Sequence, residues 1–239
     1  MNLYVGTSGY AYKEWKGTFY PEDLPEKQML KYYGERFRSV EINNTFYRMP
    51  KPSMLEAWAA EVPADFKFVI KASQRITHMQ RLKDTDGSVA YLLEVVATLK
   101  DRLGPLLFQL PPQFSKNHER LALFLNMLPR RYRYAFEFRH KSWYEDDIID
   151  LLRDHDVALC LSDHHDAPAP WQETARHVYV RGHGPGGCYK DHYAAKTLRR
   201  WARDIARWKR QRRTVFIYFD NDQKSAAPLD ARRLIEMLR

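Results

Sequence analysis

Glu41 and Asn43, Glu137 and Arg139, and Arg181 and His183 are pairs of polar residues two positions apart, each at the end of a short run rich in Val, Ile, Phe or Leu. In an extended chain that spacing puts both side chains on one face, where a charge is costly to bury unless it is paired. Similar runs end in Lys71, in Gln109, in Asp163 before His164 and His165, and in Asp220 before Asn221 and Asp222. The set suits recognition of an anion. Lys71 offers a point charge, Arg139 and Arg181 offer bidentate forks, and the stretches Gly6 to Gly9 and Gly182 to Gly187 offer backbone N–H groups. Glu41 or Glu137 is then a candidate general base, and His183 a candidate acid or base. Tyr10, Asn43, Gln109, Tyr189 and Asn221 complete the expected substrate-binding set. Tyr10, Tyr12, Trp15, Phe46, Tyr47, Trp143 and Tyr189 could stack a ring or base. A plainer reading competes, in which ion pairs such as Lys71 with Glu41 or Arg139 with Glu137 satisfy the site and the aromatics only pack loops.

Other chemistries fit less well. Glycoside hydrolysis needs two carboxylates about 5 to 10 Å apart, and Glu41 and Glu137 are expected to lie well separated, on the second and fifth runs. A divalent metal could draw on Glu137, Asp163, His164, His183 and Asp222, with Asp163, His164 and Asp222 the metal candidates. No HxH or HExxH spacing supports it, and Lys71, Arg139 and Arg181 would repel a cation. No cofactor is evident, and a divalent metal is left open. There is no GxSxG elbow; Ser8 reads as a tight-turn residue and Cys160 as a small core hydrophobe.

The elements that must position these residues alternate. Strands are expected at Leu3 to Thr7, Ser39 to Thr45, Phe66 to Ala72, Pro105 to Leu110, Arg133 to Phe138, Ala158 to Asp163, His177 to Arg181 and Thr214 to Phe219. Helical stripes lie between them, as in Ser88 to Arg102, Tyr144 to His155 and Leu198 to Trp208. Eight such units match a (β/α)8 TIM barrel, typically ~250 residues, with its functional residues at the C-terminal ends of the strands. The interval from Asp163 to His177 contains Pro168 and Pro170 and is too short and broken for a full helix, so the sixth helix is expected to be reduced or irregular. An open doubly wound sheet is the alternative, but no GxGxxG follows the first strand and no GxxxxGK[ST] occurs. With no linker or composition break, residues 1–239 read as a single α/β domain.

The runs GTSGYAYKEWKGTFYP (6–21), EINNTFYRMP (41–50), FKFVIKASQRITH (66–78), LGPLLFQLPPQF (103–114), FEFRHKSW (136–143), YVRGHG (179–184) and YFDND (218–222) occur in this order. In them the chain resembles the YecE-like family, domain of unknown function 72. The resemblance implies a TIM barrel of the broad xylose-isomerase-like or endonuclease-like kind, and it implies no activity. His164 and His165 belong to none of these motifs.

Composition narrows the class further. At 239 residues, 44% hydrophobic and 29% charged, the chain reads as globular. It has no run of 18 apolar residues and no basic leader ahead of an apolar stretch, and its two cysteines, Cys160 and Cys188, make no framework, so a cytoplasmic protein without membrane association is expected. The net charge of +9 suggests nucleic acid. Yet residues 196–213 carry nine cations and one acid, Asp204, so most of that excess sits on one helix, whose C-terminus points to the end of the barrel away from the expected site. The reading is an enzyme using hydrolase-like acid/base chemistry on a phosphate- or carboxylate-bearing substrate. The alternatives are a nucleic-acid-binding protein, with or without metal-dependent phosphoesterase activity, and a non-catalytic ligand-binding barrel.

Overall fold

The computed structural model describes residues 3–239. Its eight strands are β1 (Leu3–Thr7), β2 (Ser39–Ile42), β3 (Lys67–Lys71), β4 (Leu103–Gln109), β5 (Tyr134–Glu137), β6 (Ala158–Ser162), β7 (His177–Gly182) and β8 (Thr214–Phe219). They pair in parallel in the order β1-β8-β7-β6-β5-β4-β3-β2. The ring is completed where β1 meets β2 through a bridge between Ser8 and Glu41, beside which the Gly9 N–H donates to the Glu41 carbonyl at 2.7 Å. Gly6 permits this close seam, since a Cβ there would sit 2.1 Å from the Ser39 carbonyl oxygen. The architecture is the expected (β/α)8 TIM barrel.

Helices α1 (Met29–Gly34), α2 (Pro52–Glu61), α3 (Asp86–Val96), α4 (His118–Met127) and α5 (Asp146–Asp154) follow the first five strands, α6 (Ala195–Arg210) follows β7, and α7 (Ala226–Glu236) follows β8. No helix separates β6 from β7 among the described residues. Proline denies that segment its helical hydrogen bonds, and Trp171 covers the gap by packing against Trp201 and Trp208 of α6 at 6.1 and 6.5 Å between ring centroids. As its sequence stripe requires, α6 buries Leu198, Trp201, Ile205 and Trp208.

The strands are apolar on both faces, as covered parallel strands are. Outward residues such as Val40, Phe68, Ile70, Phe108, Phe136 and Val180 pack against the helices, while Tyr4, Val69, Leu107, Ala135, Cys160, Tyr179, Phe216 and Tyr218 fill the interior. Several expected bounds shift, two of them where an element stops early. The second strand ends at Ile42 and residues Asn44–Phe46 form a 3-10 turn; the helix expected over Ser88 to Arg102 ends at Val96, and a 3-10 segment with Lys100 at φ 49° completes the stretch. No helix among the described residues is long and apolar enough to cross a membrane.

A candidate functional site at the C-terminal mouth

Alternation carries the interior upward into the mouth. Tyr4 and Gly6 lead to Ser8, Val69 to Lys71, Leu107 to Gln109, Ala135 to Glu137 and Arg139, Cys160 to Ser162, Tyr179 to Arg181 and His183, and Tyr218 to Asp220, so all of these point inward. At the centre lies Arg181, 1% exposed. Its Nε donates to both Glu41 oxygens at 3.1 Å, its Nη1 to Glu137 Oε2 at 2.8 Å, and its Nη2 to Asp220 Oδ2 at 2.7 Å and Ser8 Oγ at 3.0 Å. Glu41 and Glu137, expected to be well separated, therefore share one guanidinium. An eight-stranded barrel is only wide enough for side chains to fill it, and an inward arginine spans it. Ser8 is correspondingly more than a turn residue: its hydroxyl also donates to Glu41 and accepts from Asn43 Nδ2 at 2.6 Å.

The carboxylates are held by further donors. The Tyr179 hydroxyl donates to Glu41. Glu137 forms an ion pair with Arg139 Nη2 at 2.8 Å and receives Gln109 Nε2 at 2.9 Å and Ser162 Oγ at 3.1 Å. Burial alone would raise the Glu137 pKa, but Arg139 and Arg181, helped by His183 and Lys71, hold it well below the usual carboxylate range. His183 presents Nε2 to Arg139 and Arg181, each at 3.1 Å, and Nδ1 to Asp163 Oδ1 at 3.3 Å. With two guanidinium donors at Nε2, the network assigns the ring proton to Nδ1. Of the ion pairs expected, Arg139 with Glu137 forms; Lys71 with Glu41 does not.

Other groups at the mouth are less committed. Lys71 makes no ion pair or side-chain hydrogen bond among the described residues; its Nζ lies 4.6 Å from the centre of the Phe46 ring. Burial, and then the Arg181 charge, lower its pKa to about 8. Phe46 also packs edge-to-face with His78, 4.8 Å away between ring centres, whose pKa burial, Lys71 and Arg139 lower to about 4. Burial and the Asp220 charge raise Asp222 to about 8. Of the buried side-chain atoms that lack a hydrogen-bond partner among the described residues, four belong to mouth residues: Asn43 Oδ1, Arg139 Nε, Asn221 Oδ1 and Asp222 Oδ1. The fifth is Thr85 Oγ1.

Several expected contributors have other duties. Tyr10 packs on Tyr33 at 6.2 Å outside the network. Asn221 Nδ2 ties down the Asp191 carbonyl and Asp230 at 2.7 and 3.0 Å. Tyr189 stays at the rim, where its hydroxyl accepts from Arg139 Nη1 at 2.8 Å. Trp15 and Trp143 are fully buried and cannot stack on a ligand, whereas Tyr47 is 74% exposed. The glycine stretches do not form the expected anion cradle. The N–H groups of Thr7, Ser8, Gly9, Gly184 and Gly187 all donate within the protein, to Tyr33, Phe219, Glu41, Tyr193 and Gly184.

The expected metal set does not assemble. Asp163 accepts from the His183 N–H at 2.7 Å and from the Tyr193 hydroxyl. Among the described residues the group that could hold a cation is instead His164, His165 and Asp166, with ligand atoms within 4.8 Å of one another. His165 and Asp166 are largely exposed, and His165 Nδ1 already lies 3.1 Å from the Gly187 carbonyl, so these donors suit a loosely held surface ion rather than a metal at the centre of the mouth. Sequence reasoning missed Ser8, Tyr179 and Asp220 as site residues, although period two from Gly6, Arg181 and Tyr218 points to them. His78 lies on a single π-helical turn, Arg75–Met79, beyond any strand period.

Residues 4–239 match the family model described as protein of unknown function DUF72. The chain belongs to the DUF72 family. Relatives of this DUF72 chain include the UPF0759 protein YecE of Escherichia coli strain K12, 29% identical over 143 residues, which are 59% of this chain and 50% of YecE, so the match spans about half of that relative. The UPF0759 protein YunF of Bacillus subtilis is 24% identical over 99% of this chain and 94% of its own length. A DUF72 family protein from Thermotoga maritima has a TM-score of 0.90 at 29% identity, covering 100% of this chain and 99% of its own. Another, from Enterococcus faecalis, has a TM-score of 0.83 at 18% identity, covering 99% and 95%.

Proposed function

We propose that this DUF72 barrel is an enzyme that binds a small phosphate- or carboxylate-bearing substrate at its C-terminal mouth and works by acid/base chemistry. The observation that carries this reading is the concentration of unpartnered buried polar atoms there, Arg139 Nε among them, beside the unpaired Lys71 amine. Buried polar groups are nearly always satisfied, and such a cluster is where a ligand supplies the missing partners. Glu137, held well below the usual carboxylate range, stays ionised in this reading, and with Glu41 it fixes Arg181 under the substrate. Proton transfer falls to Lys71 and Asp222, each shifted to about 8, with His183 completing the hydrogen-bond chain between Arg139 and Asp163.

The test is the melting temperature in a titration with inorganic phosphate and short carboxylates. The wild type is expected to be stabilised by at least one anion, and Arg139→Ala to weaken that binding roughly tenfold or more, about 1.4 kcal/mol, without loss of the fold. No anion-dependent shift in the wild type would defeat the proposal. A second reading, nucleic-acid binding, is favoured by the exposed cations at the opposite end of the barrel, where Lys67, Lys100, Arg131 and Arg133 line one cleft. It requires oligonucleotide affinity that falls steeply with salt and is lost in an Arg131→Glu, Arg133→Glu variant.

A further inference from the structure

Five carboxylates, Glu41, Glu137, Asp163, Asp220 and Asp222, share the mouth with three cations. Two of the cations, Arg139 and Arg181, take up three of those carboxylates, Glu41, Glu137 and Asp220. Lys71 takes none. Glu137, Glu41 and Asp220 are near enough to act on its charge, yet its amine rests on the face of Phe46, a ring that also packs edge-to-face with His78. An enclosed amine beside a second cation is the arrangement that keeps a lysine unprotonated, and an unprotonated amine is a nucleophile.

Building on the anionic-substrate reading, we infer that Lys71 is a carbonyl-capturing nucleophile: its Nζ forms an imine with an aldehyde or ketone whose neighbouring carboxylate or phosphate is held by Arg139. The Nζ lone pair attacks the carbonyl carbon while the C=O π pair moves to oxygen and takes up a proton, giving a carbinolamine. The nitrogen lone pair then closes the C=N bond as the oxygen departs. The two amine hydrogens and the carbonyl oxygen leave together as water, so no oxidant or reductant is needed. Arg139 suits the anchoring role because its Nε is buried and unpartnered while its Nη atoms are taken by Glu137, His183 and Tyr189. The lowered Lys71 pKa, about 8, agrees with a substantial neutral fraction near physiological pH. After burial, the charges that set it are Arg181 from β7, Glu137 from β5, Glu41 from β2 and Asp220 after β8, while His78 from the turn after β3, lowered to about 4, is uncharged near neutral pH.

The experiment is reductive trapping on the intact protein. Glyoxylate, glycolaldehyde phosphate and neutral glycolaldehyde are each incubated with the enzyme and sodium cyanoborohydride, and modified lysines are located by peptide mass spectrometry. Lys13, whose side chain is 78% exposed, serves as the internal reference. Lys71 is expected to be alkylated at least tenfold faster than Lys13 by an anionic aldehyde, more slowly by the neutral one, and with a rate rising through pH 8. Preference for glyoxylate or for glycolaldehyde phosphate tells a carboxylate substrate from a phosphate one. Arg139→Ala is expected to erase the preference for anionic over neutral aldehyde, and Lys71→Arg to abolish labelling at this position with the melting temperature retained. Labelling of Lys71 no faster than Lys13 by all three probes overturns the inference; if anions still raise the melting temperature through Arg139, the anionic-substrate reading survives it. If no anion binds and Lys71 is unreactive, both fall.

Discussion

Arg181 and Arg38 are the same side chain at opposite ends of the barrel. Arg181 is buried with three carboxylates drawn from three other strands or their ends; Arg38 is half exposed and pairs at 2.6 Å with Asp65 just before the next strand. The contrast extends around both rims. Arg38, Arg102, Arg133, Arg176 and Arg213 immediately precede β2, β4, β5, β7 and β8, and those with partners serve neighbours: Arg102 donates to the carbonyls of Ala59, Val62 and Pro63 where α2 ends, Arg176 pairs with Asp156, and Arg213 reaches the Ala175 carbonyl. Of these, Arg102 answers the exposed carbonyls at a helix C-terminus, while Arg38 and Arg176 pair with nearby carboxylates. At the mouth, Arg139 and Arg181 answer buried carboxylates, Arg181 reaching three of them across the barrel, while Lys71 pairs with none. Most of the +9 sits on residues 196–213, outside the mouth, so total charge says little about the ligand, while the few buried cations say a good deal.

Breaking the comparison at its strongest point should produce the largest effect. Arg181→Met leaves Glu41, Glu137 and Asp220 buried around an apolar side chain, and is expected to cost about 3–5 kcal/mol in chemical denaturation. A loss below about 1 kcal/mol would erase the distinction between the two ends.

Acid titration comes next. His78 and His164 near the mouth and His177 near the opposite end are all pushed by burial to about 4. Between their ordinary value of 6.5 and that of the fold, the unfolded chain binds more protons, so stability is full above pH 6.5 and declines as the pH falls toward 4. Glu137 adds a second loss at the mouth alone, beginning near its ordinary 4.5 and continuing downward. His177→Gln should remove about 1–3 kcal/mol of the first decline and leave the second intact, as read from unfolding free energy against pH.

Asp222 runs the other way. Its folded pKa lies above the unfolded 3.8, so the stability it contributes is present below that value and drains away as the pH climbs toward 8. Asp222→Asn should flatten that limb, and a variant with unchanged pH dependence would remove Asp222 from the titrating groups. The smallest effect is expected at the other rim, where Arg38→Ala should change stability by less than about 1 kcal/mol and leave aldehyde trapping at Lys71 untouched.

The barrel was legible because its strands announce themselves: the bounds read for the first and last, Leu3 to Thr7 and Thr214 to Phe219, coincide with β1 and β8. The missing helix between β6 and β7 was equally readable from Pro168 and Pro170. Face alternation also placed Glu41, Glu137, Arg139, Arg181 and His183 together. It could not reveal that Glu41 and Glu137 meet on one arginine, because a period says which way a residue points and nothing about what reaches it from across the barrel. The glycine stretches misled for a related reason: Gly9 and Gly184 have the positive φ that a cradle for an anion would use, but their N–H groups are taken by Glu41 and Tyr193, partners distant in sequence. His78 carried no periodic signal at all.

The seam beside Gly6 gives the mouth a mechanical meaning. Seven neighbouring strand pairs are zipped along several residues, but β1 and β2 are fastened by the single bridge from Ser8 to Glu41, and Glu41 is also the acid that Arg181 grips. The hoop is thus buckled by the residues that line its opening. Whatever redistributes charge around Arg181 also pulls on the buckle, and amide hydrogen exchange at Ser8 and Gly9 should register a ligand at the mouth even where no lid closes over it.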